Sequence, residues 1–274
     1  MKRRNHHKRA ARLDLIAGLA LGLLGLIALA ALGGGLWWLK SKRIDIVEST
    51  LCPKNGPRAV HALLIDRTDP VTGQQGLEIK QHIDRLTKDP RTGQRFDFYT
   101  VEGDTQKVLE PVLEICSPGQ GKDANEIYEN PGKIQKRFET RFGEVLTRTV
   151  SDLLKESTKP NSPIIESIRA ASISSFGPFG DSEIPVELTI ISDMVQHSAL
   201  NSHFRNVPNF KELSRSQSWR SLQPDLRGAN VVVLYLLRPT AARSGVPIQN
   251  RGHQLFWEEL ISGSNGRLVS FQPI

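Results

Sequence analysis

The stretch AVHALLIDRTDP, residues 59–70, combines a short apolar run with a polar turn that carries two aspartates. Its first eight residues are mostly aliphatic and are bounded by turn formers, which predicts a strand buried within a sheet. The last of them, Asp66, then stands at the carboxyl end of that strand. A buried carboxylate there is costly unless it is paired, hydrogen-bonded or bound to a metal. This stretch therefore predicts a buried sheet and a candidate site at its edge.

Strand-like and helix-like patterns alternate along the rest of the chain. Turn residues at 102–106 predict a hairpin between the second and third strands, and Pro111 favours an edge position for the third. We predict an α/β fold, a Rossmann-like three-layer sandwich whose mostly parallel central sheet has one antiparallel edge strand. Further strands are predicted at 95–101, 107–116, 187–193, 230–238 and 267–272, and helices at 76–87, 134–154, 163–174 and 249–262.

An uncharged run, residues 15–39, precedes this domain and ends in Trp37 and Trp38. At about 1.5 Å per residue it is long enough to cross a hydrocarbon core of about 30 Å. The run exceeds the core of a cleaved signal peptide, and tryptophans followed by basic residues suit a membrane interface. We therefore predict one transmembrane helix. Gly18 and Gly22 form a GxxxG pattern, which leaves open a homodimer through this helix.

The net charge of +7 belongs to one end of the chain. Residues 1–43 contain nine Lys or Arg and a single acid, a net charge of +8, whereas residues 44–274 carry −1. The basicity thus indicates a membrane topology, with anionic lipid near the basic end, and not a nucleic-acid partner. Six of the basic residues precede the span and three follow it. We predict a cytoplasmic N-terminus and an extracytoplasmic C-terminal domain, anchored in the inner or cytoplasmic membrane.

These patterns divide the chain into four parts. They are a basic cytoplasmic tail (1–14), the transmembrane helix (15–39), a tether (40–58) and one globular domain (59–274).

A second predicted strand, within 187–193, also ends in an aspartate, Asp193. The carboxyl ends of parallel strands share one edge of a sheet, where open α/β folds bind ligands. Thr68 follows Asp66, and Ser162 precedes a predicted helix. Carboxylate and hydroxyl oxygens of this kind suit Mg²⁺ or Mn²⁺.

These residues resemble a known family. DRTDP from Asp66, NSPIIESIRAAS from residue 161 and LTIISD ending at Asp193 resemble the three loops of von Willebrand factor A-type (VWA, integrin I-like) domains. The resemblance covers residues 59–274. It implies a metal-ion-dependent adhesion site held by Asp66, Thr68, Ser162 and Asp193, with an acidic group of a protein partner as the last ligand.

The chain departs from the family pattern at three positions. Pro70 stands where the family has a second serine, Ser162 replaces threonine, and Met194 replaces the usual glycine. Asp69 and Thr72 are the candidates to supply the oxygen ligand that is missing at Pro70. The sequence leaves two alternatives open, a functional Mg²⁺ or Mn²⁺ site and a vestigial one.

The two cysteines, Cys52 and Cys116, have no metal-ligand spacing. In the fold that the resemblance implies, Cys116 ends the edge strand on the side where the first strand begins, close to Cys52. A disulfide between them and two separate thiols both remain open.

Enzyme motifs are not found. Asp66 and Asp69 are spaced three apart, unlike the DxD of haloacid dehalogenase-like sites, and GxSxG, P-loop and HExxH patterns do not occur. The histidines are predicted to be surface or structural residues. We therefore expect a non-enzymatic protein, which is either a metal-dependent protein-interaction module or a structural component of an envelope assembly.

Overall fold

The computed structural model describes residues 3–41, 44–101, 110–125, 129–155, 157–179, 184–199, 201–238, 242–243 and 246–274. The chain divides into two compact units. The first is mainly the N-terminal region up to Asp45, and the second contains the sheet and begins at Ile46.

A single helix, α1 (Arg3–Ser41), occupies most of the first unit. Within the described residues it is the one helix that is long and apolar enough to cross a membrane, over Leu21–Trp38. Helix α1 also includes most of the predicted tail, because Ala, Arg, Lys and Leu are favourable helix formers and no breaker separates tail from span.

The second unit is built on a six-stranded sheet. Its strands are β1 (Ala59–Asp66), β2 (Gln94–Val101), β3 (Leu113–Cys116), β4 (Val186–Ser192), β5 (Asn230–Tyr235) and β8 (Arg267–Pro273), and a separate pair comprises β6 (Ala242–Arg243) and β7 (Val246–Pro247). The order of strands in the sheet is β3-β2-β1-β4-β5-β8. All neighbouring strands are parallel except β2 and β3, which are antiparallel. The predicted α/β class with an antiparallel edge strand is therefore confirmed.

Helices cover both faces of this sheet, which gives three layers. Because strand side chains alternate, Val231 and Val233 of β5 enter one core, whereas Leu234 enters the other. The helices are α2 (Gly73–Lys88), α3 (Pro131–Arg137), α4 (Glu144–Leu153), α5 (Ile164–Ser175), α6 (Phe210–Leu213), α7 (Gln217–Leu222) and α8 (Arg251–Gly263), with a π-helical segment, Phe138–Gly143, joining α3 to α4.

Strand order reverses direction between β1 and β4. The chain moves outward from β1 through β2 to β3, then returns and continues on the other side of β1 through β4 and β5. In open α/β folds, the loops that follow the two strands at such a reversal usually form the ligand site, at the carboxyl edge of the sheet.

The segment before β1 differs from the predicted tether. Ile46 and Pro53 form a β-bridge, and Leu51 is only 1% exposed. Cys116 donates its N–H to the Thr50 carbonyl at 2.8 Å. Residues 46–58 thus pack on the edge of the sheet, because Leu51 adds to the apolar core there. The predicted turn at 102–106 lies outside the described residues.

Candidate functional site at the switch point of the sheet

Asp66 ends β1 and is buried at the point where the strand order reverses. Its Oδ1 accepts hydrogen bonds from the Thr68 N–H at 2.9 Å and the Thr68 hydroxyl at 2.7 Å. Its Oδ2 accepts from the Ser192 hydroxyl at 2.7 Å and the Ser162 hydroxyl at 3.2 Å. The structure therefore brings two of the predicted ligands, Thr68 and Ser162, to the carboxylate of a third, Asp66, and adds Ser192.

Backbone contacts hold these hydroxyls in place. Ser162 and His197 exchange two N–H···O bonds of 2.8 Å, which ties the loop before α5 to the loop after β4. The Lys159 N–H donates to the Thr68 carbonyl at 3.0 Å. Three loops that are distant in sequence thus converge on Asp66.

Asp193, the fourth predicted ligand, follows β4 and is also buried. Its Oδ1 accepts from the Val195 N–H at 2.8 Å, and its Oδ2 lies 3.7 Å from Nε of Arg238. Burial raises the pKa of Asp193, and the negative charge of Asp66 raises it further, against the opposing effects of the Val195 N–H and Arg238. The two carboxylates therefore interact unfavourably when both are ionised.

The backbone after Asp193 adopts an uncommon conformation. Met194, at the usual glycine position, has φ of 59°, which costs energy for a residue with a side chain. Its N–H donates to Ser192 Oγ at 2.7 Å, and its carbonyl accepts from His253 Nε2 and Trp257 Nε1, both at 3.0 Å. These three bonds hold the turn that presents Asp193.

Asp69 and Thr72, the two candidates to supply the oxygen ligand that Pro70 lacks, have different roles in the structure. The Thr72 side chain caps α2 by accepting from the Gln75 N–H at 3.2 Å, and the Gln75 side chain accepts from the Thr72 N–H in return. Asp69 is exposed, and its charge contributes to the raised pKa of Asp193. The Thr72 hydroxyl is therefore used to cap α2, whereas Asp69 adds negative charge near Asp193.

The donor set is suited in its chemistry to a hard divalent cation. Two carboxylates and two predicted hydroxyl ligands are oxygen donors, and a cation would relieve the repulsion between Asp66 and Asp193. Two observations point the other way. Asp66 already accepts four hydrogen bonds, and Arg238 supplies a positive charge beside Asp193. Among the described residues, no three His, Cys, Asp or Glu side chains form a metal-binding group.

Sequence reasoning missed Ser192, Arg238 and His253 at this site. Ser192 directly precedes Asp193, and its position at a strand end was the available signal. Arg238 lies in the segment after β5 and His253 lies on α8, and no local pattern marks either of them.

The cysteines lie at the opposite edge of the sheet. Cys116 pairs with Arg95 near the amino end of β2, and in the structure Cys52 and Cys116 form a disulfide. It joins the segment before β1 to the edge strand β3.

Comparisons with known proteins give no family assignment. No family model and no curated protein matches the chain. Among solved structures, it is similar to an aerotolerance-related membrane protein from Bacteroides fragilis, at 15% identity and a TM-score of 0.37, over 78% of this chain and 92% of that one. It is also similar to the human COPII-coat protein Sec24c, at 9% identity and a TM-score of 0.37, over 84% of this chain and 32% of that one. Similarities at this level carry no conclusion about function.

Proposed function

We propose that the chain is a single-pass membrane-anchored VWA-like protein that acts as a protein-interaction module. One observation carries the proposal: hydroxyls from the loop after β1, the loop before α5 and the end of β4 converge on the buried Asp66, beside Asp193, at the point where the strand order reverses. This convergence agrees with the three-loop resemblance in the sequence. Helix α1 supplies the anchor, with its basic end in the cytoplasm and the domain on the other side.

The contact with the partner depends on Mg²⁺ or Mn²⁺ in this proposal. Asp66, Thr68, Ser162 and Asp193 would hold the ion, whose charge would offset the two carboxylates and attract an acidic group of the partner. Asp69, exposed next to the site, adds to the negative potential that draws a cation.

The alternative is a structural component of an envelope assembly whose metal site is vestigial. Arg238 beside Asp193 favours it, since the guanidinium supplies part of the positive charge that a metal would bring. In that case the domain packs through its surfaces, and Asp66 serves to join the three loops.

A hydrolytic role is less favoured by the contacts. The hydroxyls of Thr68, Ser162 and Ser192 all donate to a carboxylate and not to a histidine base. Glu187, His61 and Thr189 do form an acid–imidazole–hydroxyl chain, with contacts of 3.0 and 2.8 Å. Thr189 is 1% exposed in a central strand, so a substrate cannot reach it.

Thermal unfolding of the full chain in detergent tests the proposal. We expect saturating Mg²⁺ or Mn²⁺ to raise the melting temperature by about 5 °C over EDTA, because a ligand that binds only the folded state stabilises it. Asp193→Asn should abolish this shift, whereas Asp84→Asn, an exposed change on α2, should preserve it. No shift in the wild type would exclude the metal-dependent module and favour the structural alternative.

A further inference from the structure

Arg238 brings a positive charge to the carboxyl edge of the sheet, beside Asp193. It lies in the segment after β5, and its side chain is 15% exposed, against 6% for that of Asp193. Burial and the negative charge of Asp66 raise the pKa of Asp193, and the guanidinium of Arg238 acts in the opposite direction. Arg238 therefore offsets part of the negative charge that a metal ion offsets in the proposed function.

The ion pair between Arg238 and Asp193 contains no hydrogen bond from Nε. This atom lies 3.7 Å from Oδ2 of Asp193, which is within ion-pairing range but too long for a hydrogen bond. It is buried and has no hydrogen-bond partner among the residues that the structure describes. The other carboxylate oxygen, Oδ1, accepts from the Val195 N–H at 2.8 Å. The guanidinium thus attracts Asp193 electrostatically, and a cation in direct contact with Oδ2 would be attracted more strongly.

A glutamine on α2 holds the far side of the guanidinium. Gln75 Oε1 accepts from Arg238 Nη1 at 3.1 Å and from the Thr72 N–H at 3.2 Å. Gln75 Nε2 donates to the carbonyls of Leu237 and Ile274, at 3.2 and 3.1 Å. These four contacts fix the position of the amide, so Arg238 has an anchor outside the carboxylate pair.

A second glutamine joins the turn after β4 to the segment after β5. Gln249 Oε1 accepts from the Arg238 N–H at 2.6 Å. Its Nε2 donates to the carbonyls of Asp193 and Leu236, at 3.0 and 2.8 Å. Because these contacts are to backbone groups, the guanidinium can leave Asp193 by a change of side-chain rotamer while they are kept.

A divalent ion and the guanidinium would compete for the same carboxylate. Both are attracted to Asp193, and two cations within a few Å of each other repel. An ion that binds between Asp66 and Asp193 must therefore overcome this repulsion or displace Arg238. Either event costs binding free energy, so the same oxygen donors would bind the ion more tightly without the arginine.

We propose that Arg238 is an internal counter-ion of Asp193, which competes with a divalent cation and so sets the cation concentration at which the site fills. This inference rests on the metal site of the proposed function and adds its regulation. At low cation concentration, the guanidinium reduces the repulsion between the two buried carboxylates. At high cation concentration, the ion replaces the guanidinium beside Asp193.

Binding of Mn²⁺ to the full chain in detergent tests the inference, with free Mn²⁺ measured by electron paramagnetic resonance. Binding that is lost in Asp193→Asn defines the site. Arg238→Met removes the charge and keeps much of the side-chain length, and it should bind Mn²⁺ about tenfold more tightly than the wild type. Arg238→Lys keeps the charge and should bind close to the wild type. Arg85→Met removes the same charge from the exposed last turn of α2, and this matched control should bind as the wild type does.

The outcomes separate this inference from the proposed function. Equal or weaker binding in Arg238→Met, with binding in the wild type, would overturn the inference and leave the metal-dependent module intact. Binding to Arg238→Met alone would support the inference and contradict that module, because the arginine would then prevent binding in the wild type. Binding to neither protein would overturn both.

A measurement on the wild type covers the case in which Arg238→Met does not fold, as judged by the absence of a cooperative melting transition in EDTA. The ¹⁵N resonance of Arg238 Nε, assigned by its loss in Arg238→Lys, should shift as Mg²⁺ is added, because the guanidinium leaves Asp193. The resonance of Arg85 Nε is the internal control and should not shift. An unchanged Arg238 resonance would overturn the inference.

Discussion

Two buried carboxylate clusters lie in the same sheet, and their charges are balanced in different ways. Asp97, within β2, accepts from Arg95 Nη2 at 2.8 Å and from the Ser175 hydroxyl at 2.6 Å. Arg95 also donates to the Ser175 carbonyl at 3.1 Å, which joins the strand to α5. At the carboxyl edge, Asp66 and Asp193 instead lie close enough to repel, and Arg238 is 3.7 Å from Asp193.

This difference separates a structural cluster from a candidate binding site. The Asp97 cluster has its own cation in hydrogen-bonding contact, and both side chains of the pair are buried, so no external cation is needed to offset this carboxylate. Two acids and one more distant cation leave a net negative charge at the edge, which a metal ion or a basic group could neutralise. Burial alone does not distinguish the two clusters, whereas the balance of charges does.

The largest effect on stability is expected from breaking the buried ion pair between Arg95 and Asp97. Arg95→Met leaves Asp97 buried without its cation, and it should lower the free energy of unfolding by about 3 kcal/mol. Chemical denaturation of the full chain measures this loss. Arg251→Met, which breaks an exposed ion pair with Glu258, is the control and should cost less than about 1 kcal/mol. Equal losses of the free energy of unfolding in Arg95→Met and Arg251→Met would contradict the assignment of the Asp97 cluster as a structural ion pair.

A pH effect of intermediate size should follow from Asp97 itself. Burial raises the pKa of Asp97 to about 6 in the folded protein, against an ordinary value of 3.8 for an aspartate in water. A carboxyl whose pKa is raised by folding favours folding when protonated, so its contribution is present below pH 3.8 and is lost as the pH rises through 6. The stability of Asp97→Asn relative to the wild type should therefore increase by about 2 kcal/mol between pH 4 and pH 7. Parallel pH profiles would show that Asp97 does not titrate in this range.

The smallest effect on stability should come from the cluster of Asp66 and Asp193 at the carboxyl edge of the sheet. In EDTA at neutral pH, Asp193→Asn removes one of two repelling charges, and it should raise the free energy of unfolding by about 1 kcal/mol. Denaturation in chelator measures this gain. Asp97→Asn under the same conditions leaves Arg95 without its carboxylate and provides the contrast. If Asp193→Asn instead lowered the free energy of unfolding by more than about 2 kcal/mol, Arg238 would balance the charge of Asp193 as fully as Arg95 balances that of Asp97.

The sequence predicted those parts of the molecule that depend on local patterns. Aliphatic runs such as 59–66 and 230–235 carry enough signal to place central strands, and Asp66 and Asp193 followed from strand ends. Packing decided the remainder. Leu51 has no periodic neighbours that would mark it as buried, and the position of Arg238 near Asp193 depends on how two loops meet.

Met194 illustrates the same limit. Its sequence position suggested only a missing glycine, whereas its φ of 59° is held by contacts from α8 that lie about sixty residues away in the chain. A local rule therefore identified the uncommon position but not what stabilises it.

The disulfide gives the domain a dependence on its cellular compartment. Cys52 and Cys116 can stay oxidised only where thiols are not kept reduced, which in most cells means outside the cytoplasm. A chain inserted with its domain on the cytoplasmic side would keep both thiols, and residues 46–58 would have only non-covalent contacts to β3. We expect such a molecule to be labelled by a thiol-alkylating reagent under denaturing conditions and to be cleaved more readily by proteases before β1. The bond would thus report whether the chain was inserted in the predicted orientation.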